Sequence, residues 1–127
     1  MEKVKLQAQY GLYIKGEWRN ASDGATYNAE SPADGSHLAV CAQGSREDVE
    51  AASAAAWEAF KTWKKTTPAQ RAALLNKIAD IIDANKEHLA MVESMDNGKP
   101  IRETMNVDIP MAAEHFRYFA GCILSLI

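Results

Sequence analysis

The sequence predicts an α/β fold in which short β-strands and hairpins form the first third and three long helices follow. Three observations predict this order. Residues 12–43 contain short aromatic or β-branched stretches separated by turn residues. From Ser45 onward, apolar residues recur every three or four positions, which is the period of an amphipathic helix. Helix start and stop signals then divide the rest of the chain.

The β part is predicted to begin with a hairpin over residues 12–19, in which Gly16 supplies the positive φ of a tight turn. A strand starting at Thr26 must end near Pro32, because proline cannot donate to a ladder. Residues 37–43 alternate imperfectly and predict one more strand. Residues 1–9 alternate only weakly and are expected to form a flexible arm or the lead-in to a strand.

The first helix is predicted to begin after Ser45. Ser45 and Asp48 have the spacing of a capping box, in which the hydroxyl and the carboxylate each accept from a free backbone amide. The residues that follow form an apolar stripe at helical spacing, and we expect it to be buried. The stripe consists of Val49, Ala52, Ala56, Phe60 and Trp63.

The second helix has a stronger start signal, with Thr67 as N-cap, Pro68 at the first helical position and Gln70 able to reach back. Its apolar period continues until Asn97-Gly98, a left-handed stop. A third helical stretch is predicted from Ile101 to about Ile123.

Pro110 interrupts this third stretch. It has no amide to donate to the carbonyl of Asn106, so the helix should kink or be two helices that meet near Asp108. Three helices with apolar faces would cover more surface than the short strands offer. Some of these faces are therefore expected to lack a partner within the chain.

Composition excludes several classes of function. The chain has 127 residues with 14 Lys and Arg against 17 Asp and Glu, and no basic stripe that could follow a phosphate backbone, so nucleic acid is not expected as a partner. No signal peptide or apolar run of about 18 residues is present, so no membrane partner is expected. Cys41 and Cys122 form neither a CxxC motif nor a disulfide framework, which favours a reducing, cytoplasmic compartment.

The residues alone predict no reaction centre. The chain lacks a glycine-rich phosphate loop and the common hydrolase and metalloprotease motifs. Its histidines, His37, His88 and His115, are too scattered to suggest a metal cage. Neither cysteine has a neighbouring group that would activate a thiol, so packing roles are expected for both.

Several motifs, in their order and spacing, resemble the N-terminal portion of the aldehyde dehydrogenase superfamily. These motifs are YIKGEW, SPADG, TPAQRAALLNKIADIIDANKEHLA, MDNGKPIRET and HFRYFAGC. The resemblance covers roughly residues 10–123, and the combination of DNGKP with FRYFAG is its specific part. GKPIRET and HFRYFAGCI are most similar to bacterial acetaldehyde-type enzymes.

The resemblance implies that the chain is an incomplete part of an NAD(P)-binding domain, in a family whose members are about four times as long and carry a separate catalytic domain and an oligomerisation hairpin. In the complete family enzyme, a cysteine thiolate attacks the aldehyde, NAD or NADP accepts a hydride, and glutamate activates the water that releases the carboxylic acid. The resemblance places the nucleotide loop, this cysteine and this glutamate beyond the chain. No catalytic or cofactor-binding residue is therefore assigned here, and Cys122 is not the nucleophile.

The resemblance transfers two minor roles. Met111 and Val107 match positions on the helix that borders the substrate tunnel, although packing in a core would equally explain both residues. Glu30, through its backbone carbonyl, and Asp96 match a structural monovalent-cation site. Alternatively, Asp96 only helps to end the helix and binds no ion. The sequence also departs from the family pattern at Ser31, where many relatives have Asn.

We therefore expect three parts: a flexible arm over 1–9, a family segment over 10–123 and a tail over 124–127 that departs from the family. The leading hypothesis is an N-terminal fragment of an NAD(P)-dependent aldehyde dehydrogenase, inactive alone, from a truncated reading frame or gene fragment. The alternative is a stand-alone helical interaction module that binds a protein partner. Either could self-associate or associate with a full-length relative through uncovered helix faces.

Overall fold

The computed structural model describes residues 4–125, and it confirms the predicted α/β class, with short strands first and helices after them. The chain divides into two compact units, one over Lys5–Lys65 and the other beginning at Thr66. The strands are β1 (Gln9–Tyr10), β2 (Leu12–Ile14), β3 (Glu17–Arg19), β4 (Thr26–Glu30) and β5 (His37–Ala42). The helices are α1 (Arg46–Trp63), α2 (Pro68–Ala84), α3 (Lys86–Asn97), α4 (Ile101–Glu103), a π-helical segment (Thr104–Asp108) and α5 (Ile109–Ser125).

Strand β5 is the centre of a three-stranded sheet with the order β1-β5-β4. Strand β4 pairs with it antiparallel, and β1 pairs with it parallel. Strand β1 begins at Gln9, and the amide of Val40 already donates to the carbonyl of Ala8 at 3.0 Å. The weakly alternating start of the chain thus leads into a strand. Residues 1–3 of the expected arm lie outside the described residues, and the division of the chain at residue 9 stays a prediction.

The predicted hairpin is confirmed, and it joins β2 to β3 in an antiparallel pair. Lys15 and Gly16 both have positive φ, 56° and 83°, as a two-residue turn that matches strand twist requires. The backbone before the hairpin also comes very close to its second strand, because a Cβ on Gly11 would lie 2.7 Å from the carbonyl oxygen of Arg19. A side chain at this position would force the backbone apart.

Asp48 is the buried polar centre of the first unit, and it confirms the predicted capping box. Its carboxylate accepts from the amide of Ser45 at 2.9 Å, while the amide of Asp48 donates to the Ser45 hydroxyl at 3.3 Å. The same carboxylate also accepts from the amide of Ser22 at 3.1 Å, which the sequence did not predict. One side chain thus ties the turn before β4 to the start of α1.

The apolar stripe of α1 was predicted to be buried, and this prediction is wrong. Val49 is 64% exposed and Phe60 is 45% exposed. The less exposed side carries Asp48 and Ala55 together with Ala52, the one residue of the predicted stripe that is not exposed. The expectation that some helix faces lack a partner is confirmed by the same exposures.

In the second unit, α2 packs against α5 through small residues. Ala72 and Ala79 of α2 and Ala113 and Ala120 of α5 are each at most 3% exposed. Pairs of alanines spaced by two helical turns allow two helix backbones to approach closely along a seam. Arg117 strengthens this pairing because its guanidinium contacts two carboxylates of α2, at 2.8 Å and 2.6 Å. These carboxylates belong to Asp80 and Asp83.

The second predicted helix is divided at Asn85 into α2 and α3. The Asn85 side-chain amide donates to the backbone carbonyl of Ile81 at 2.8 Å, and the Asn85 backbone amide donates to the same carbonyl at 3.2 Å. Asparagine competes in this way with the regular helical bonds, which the apolar period does not show. The predicted stop is confirmed, since Gly98 caps α3 with a φ of 78°.

The Asp48 contacts predict how the first unit responds to acid. Hydrogen bonds, foremost from the Ser45 amide, hold the pKa of the Asp48 carboxyl below its ordinary value of 3.8. A group whose pKa is lower in the folded state stabilises the fold above its unfolded pKa and loses that contribution as the pH falls through the folded value. We expect the urea midpoint, followed by tryptophan fluorescence, to fall steeply below about pH 4.

The D48N variant isolates this effect. It should have a lower midpoint than the parent at about pH 6 and a shallower decline towards about pH 2.5, because it has no carboxylate at position 48 to protonate. E47Q, on the exposed neighbouring residue, serves as the matched control and should follow the parent. An equally steep decline in D48N and the parent would contradict the assignment.

Candidate functional site

The candidate site is the helix face around the π-helical segment, which carries Val107 and is followed by Met111. The amide of Ile109 donates to the carbonyl of Thr104, five residues earlier, as a π-helix requires. Pro110 explains the wider turn, since it cannot donate to Asn106 and its ring would crowd a normal α-turn. The predicted interruption of the helix near Asp108 is thus confirmed, and it takes the form of a π-helical segment.

Thr104 fixes the start of the π-helical segment. It has no exposed surface, and its hydroxyl donates to the carbonyl of Ile101 at 3.2 Å. The hydroxyl oxygen of Ser94 in α3 lies 2.8 Å from the hydroxyl oxygen of Thr104. Because the Thr104 proton points to Ile101, Ser94 is the donor of this second bond. The two hydroxyls therefore attach the segment to α3.

Lys99 fixes the other end of the segment. Its ammonium lies 2.8 Å from the carboxylate of Asp108, whose side chain is 26% exposed. This hydrogen bond raises the pKa of the Lys99 ammonium. Lys99 itself is held by its backbone amide, which donates to the side chain of Asn97 at 2.9 Å. The π-helical segment is thus attached at both ends.

Val107 and Met111 lie one helical turn apart and are exposed by 42% and 48%. Met111 lines a surface depression of about 320 Å³ together with Glu114, His115 and Tyr118. A thioether beside an aromatic ring offers van der Waals contact to an apolar chain. This face is suited to holding a ligand by contact, and it brings together the two residues that the resemblance assigned to a substrate tunnel.

The other two predicted site residues lie in different units. Glu30 is exposed at the end of β4, where the register with β5 shifts between Ala29 and Glu30. Asp96 is exposed in the last turn of α3. Within residues 4–125, no three His, Cys, Asp or Glu side chains are grouped so that they could hold a metal ion. The cation role of Glu30 and Asp96 stays a prediction.

Both cysteines are free thiols of intermediate exposure, Cys41 in β5 and Cys122 in α5. The histidines lie in three different elements, His37 in β5, His88 in α3 and His115 in α5. None of the helices between residues 4 and 125 is long and apolar enough to cross a membrane.

Sequence reasoning missed the groups that position the face, namely Thr104, Ser94 and the pair Lys99 and Asp108. The hydroxyls are ten positions apart and the ion pair nine, so no helical or strand period connects them. Pro110 was the one available sequence signal, because a proline inside a helix predicts a local departure from α-helical hydrogen bonding.

Comparison with known proteins gives one consistent family. The family model described as the aldehyde dehydrogenase family matches residues 18–126. The long-chain-aldehyde dehydrogenase of Acinetobacter sp is 47% identical over 121 residues, which are 95% of this chain and 24% of that protein. The acetaldehyde dehydrogenase of Pseudomonas aeruginosa is 45% identical over 94% of this chain and 24% of its own length.

A solved structure agrees with these relatives. The crystal structure of PnpE in complex with nicotinamide adenine dinucleotide has a TM-score of 0.87 at 42% identity, over 89% of this chain and 23% of PnpE. The chain thus spans about a quarter of the length of the relatives it matches. Nothing in these comparisons supports the alternative of a stand-alone helical interaction module.

The buried hydroxyl pair predicts a measurable coupling. We expect T104V to lower the free energy of unfolding, followed by far-UV circular dichroism in urea, by about 1–3 kcal/mol, because valine keeps the shape but leaves Ser94 without its acceptor. S94A should also destabilise the protein. The double variant should lose less unfolding free energy than the sum of the losses in T104V and S94A, by about 0.5 kcal/mol or more. Strictly additive effects would contradict a bond between the two hydroxyls.

Proposed function

The chain belongs to the aldehyde dehydrogenase family, and from this we propose that it supplies part of an enzyme that oxidises an aldehyde to a carboxylic acid with NAD or NADP. The observation that carries the proposal is the family match over residues 18–126, together with 47% identity to an aldehyde dehydrogenase from Acinetobacter sp. NAD is the favoured cofactor, because PnpE, whose fold this chain shares, binds it.

We assign no step of the chemistry to a residue of this chain. When bound, the nicotinamide supplies the acceptor for a hydride. The resemblance places the phosphate-binding loop, the nucleophilic cysteine and the general-base glutamate in other parts of the complete enzyme. Cys122 lies inside α5, a position that supports a packing role. The contribution of this chain is to hold surfaces in place for chemistry performed elsewhere.

The surface we propose for substrate is the face with Val107 and Met111. Its support is the exposure of both side chains and the attachment of the π-helical segment at both ends. A rigidly held apolar face can contact the hydrocarbon part of an aldehyde without taking part in the reaction.

We propose a structural cation role for the backbone carbonyl of Glu30 and, taken separately, for the carboxylate of Asp96. The support for Glu30 is its place directly after the shift in register between β4 and β5, where it pairs with His37. A monovalent ion bound there would contribute to stability and not to the reaction.

We further propose a cytoplasmic location, consistent with free cysteines. A formal charge of -3 supports the absence of nucleic acid among its partners. Uncovered helix faces support self-association or association with a full-length relative.

A chimera tests the proposed function. In the Acinetobacter long-chain-aldehyde dehydrogenase, residues 4–125 of this chain would replace the matching segment. We expect the chimera to reduce NAD in an aldehyde-dependent manner, with a kcat/KM within about tenfold of the parent enzyme. A folded chimera that binds NAD but has no aldehyde oxidation would contradict the proposal.

The chain on its own is the control for this experiment. We expect it to show no aldehyde-dependent reduction of NAD or NADP and no NAD binding by calorimetry. Turnover by the 127 residues alone would overturn the assignment as a contributing segment.

The substrate face predicts a second result in the chimera. M111A should raise the KM for a long-chain aldehyde about threefold to thirtyfold with little change in kcat, because it removes apolar contact that is equal in the ground and transition states. V107A should act in the same direction and less strongly. L124A is the matched control, since Leu124 is similarly exposed at 49% but lies on another side of α5. An equal effect of M111A and L124A on KM would rule out a specific contact.

A further inference from the structure

Asn97 and Lys99 of the DNGKP motif connect the end of α3 to the π-helical segment. The Asn97 side chain accepts from the backbone amide of Lys99 at 2.9 Å. The same side chain donates to the carboxylate of Glu93, one helical turn earlier in α3. The turn is thus closed against the end of the helix, and it fixes the backbone position from which the Lys99 side chain extends.

The Lys99 ammonium is influenced by three carboxylates, and its hydrogen bond goes to the one that belongs to the π-helical segment. This is the carboxylate of Asp108, at 2.8 Å, with side chains 49% exposed for Lys99 and 26% for Asp108. The hydrogen bond raises the pKa of Lys99, and the neighbouring charges of Glu93 and Glu103 raise it further. Because an ion pair that is partly shielded from water is stronger than a fully exposed one, this contact can hold the segment in one position.

Asp108 lies between the two apolar residues of the substrate face, with Val107 before it and Met111 after it. Each hydrogen bond of a π-turn encloses one residue more than that of an α-turn, so the offset between Val107 and Met111 depends on whether the wide turn is kept. A helix can accommodate Pro110 in another way, by a simple kink. A contact to Asp108 therefore selects one arrangement of the turn, and with it the positions of both apolar side chains.

We propose that Lys99 is a positioning residue of the substrate face, which acts through Asp108 to fix the two apolar side chains and so sets the affinity for aldehydes with long hydrocarbon tails. The inference rests on the proposed function, because it deepens the substrate contact assigned to this face. Acetaldehyde has almost no hydrocarbon to place on the face. Loss of the ion pair should therefore weaken the binding of long aldehydes and leave that of acetaldehyde unchanged.

Steady-state kinetics of the chimera with decanal and acetaldehyde test this role. D108N should raise the KM for decanal about threefold to tenfold, with less than about a twofold change in kcat and in the KM for acetaldehyde or NAD. K99M should have the same effect. Since both variants remove one contact, the double variant should be no worse than either alone. K99R should restore the decanal KM to within about twofold of the parent, because a guanidinium can also donate to Asp108.

E103Q is the matched control. It neutralises a carboxylate whose charge acts on the same ammonium, but which pairs with Arg102 at 3.0 Å, before the π-helical segment begins. Its decanal KM should equal that of the parent chimera. Equal KM shifts in D108N and E103Q, or equal shifts for decanal and acetaldehyde, would overturn the proposal, because a general charge or folding effect would then be responsible.

Hydrogen exchange of the chain itself, followed by mass spectrometry, is the second measurement. Amides of residues 104–111 should exchange about tenfold faster in D108N and K99M than in the parent and E103Q, with no change in α1, because the segment is no longer held. An inactive parent chimera would overturn both proposals. An active chimera together with unchanged exchange in D108N would overturn only the role of Lys99.

Discussion

Close backbone approach is the constraint on which both units depend. The positions with least exposure are occupied mainly by small residues, and the bulkiest fully buried side chain of the described residues is that of Thr104. Gly11 allows the strand before the hairpin to pass within contact of Arg19. Cohesion therefore depends on short distances between backbones, while many of the large apolar side chains are left exposed.

The sequence predicted those features that neighbouring residues determine. Ser45 and Thr67 form the predicted capping boxes, and Gly98 ends α3 in the left-handed conformation. Each of these depends on a few bonds within one turn of chain. Asn85 was missed because its side chain competes with the backbone within an unbroken apolar period. The pairing of Gln9 with Val40 was missed because it joins distant residues through the backbone alone.

The same distinction applies to the candidate site. A resemblance of motifs was enough to select Val107 and Met111, and Pro110 was enough to place the irregular turn. The contacts that hold this turn, from Ser94 to Thr104 and from Lys99 to Asp108, cross between elements and leave no trace in local spacing. The error about α1 has a related cause, because periodicity identifies an apolar side but not whether this chain contains its cover.

The alanine seam between α2 and α5 also determines where the second unit tolerates mutation. Ala79 and Ala113 have no exposed surface, so any replacement other than glycine must add volume at a place where two backbones meet. Substitutions that add volume should therefore be least tolerated at the smallest side chains of this unit. Leu74 and Ile81 are 43% and 53% exposed, so a mutational scan of the chain should find far greater tolerance of added volume at these two positions than along the seam.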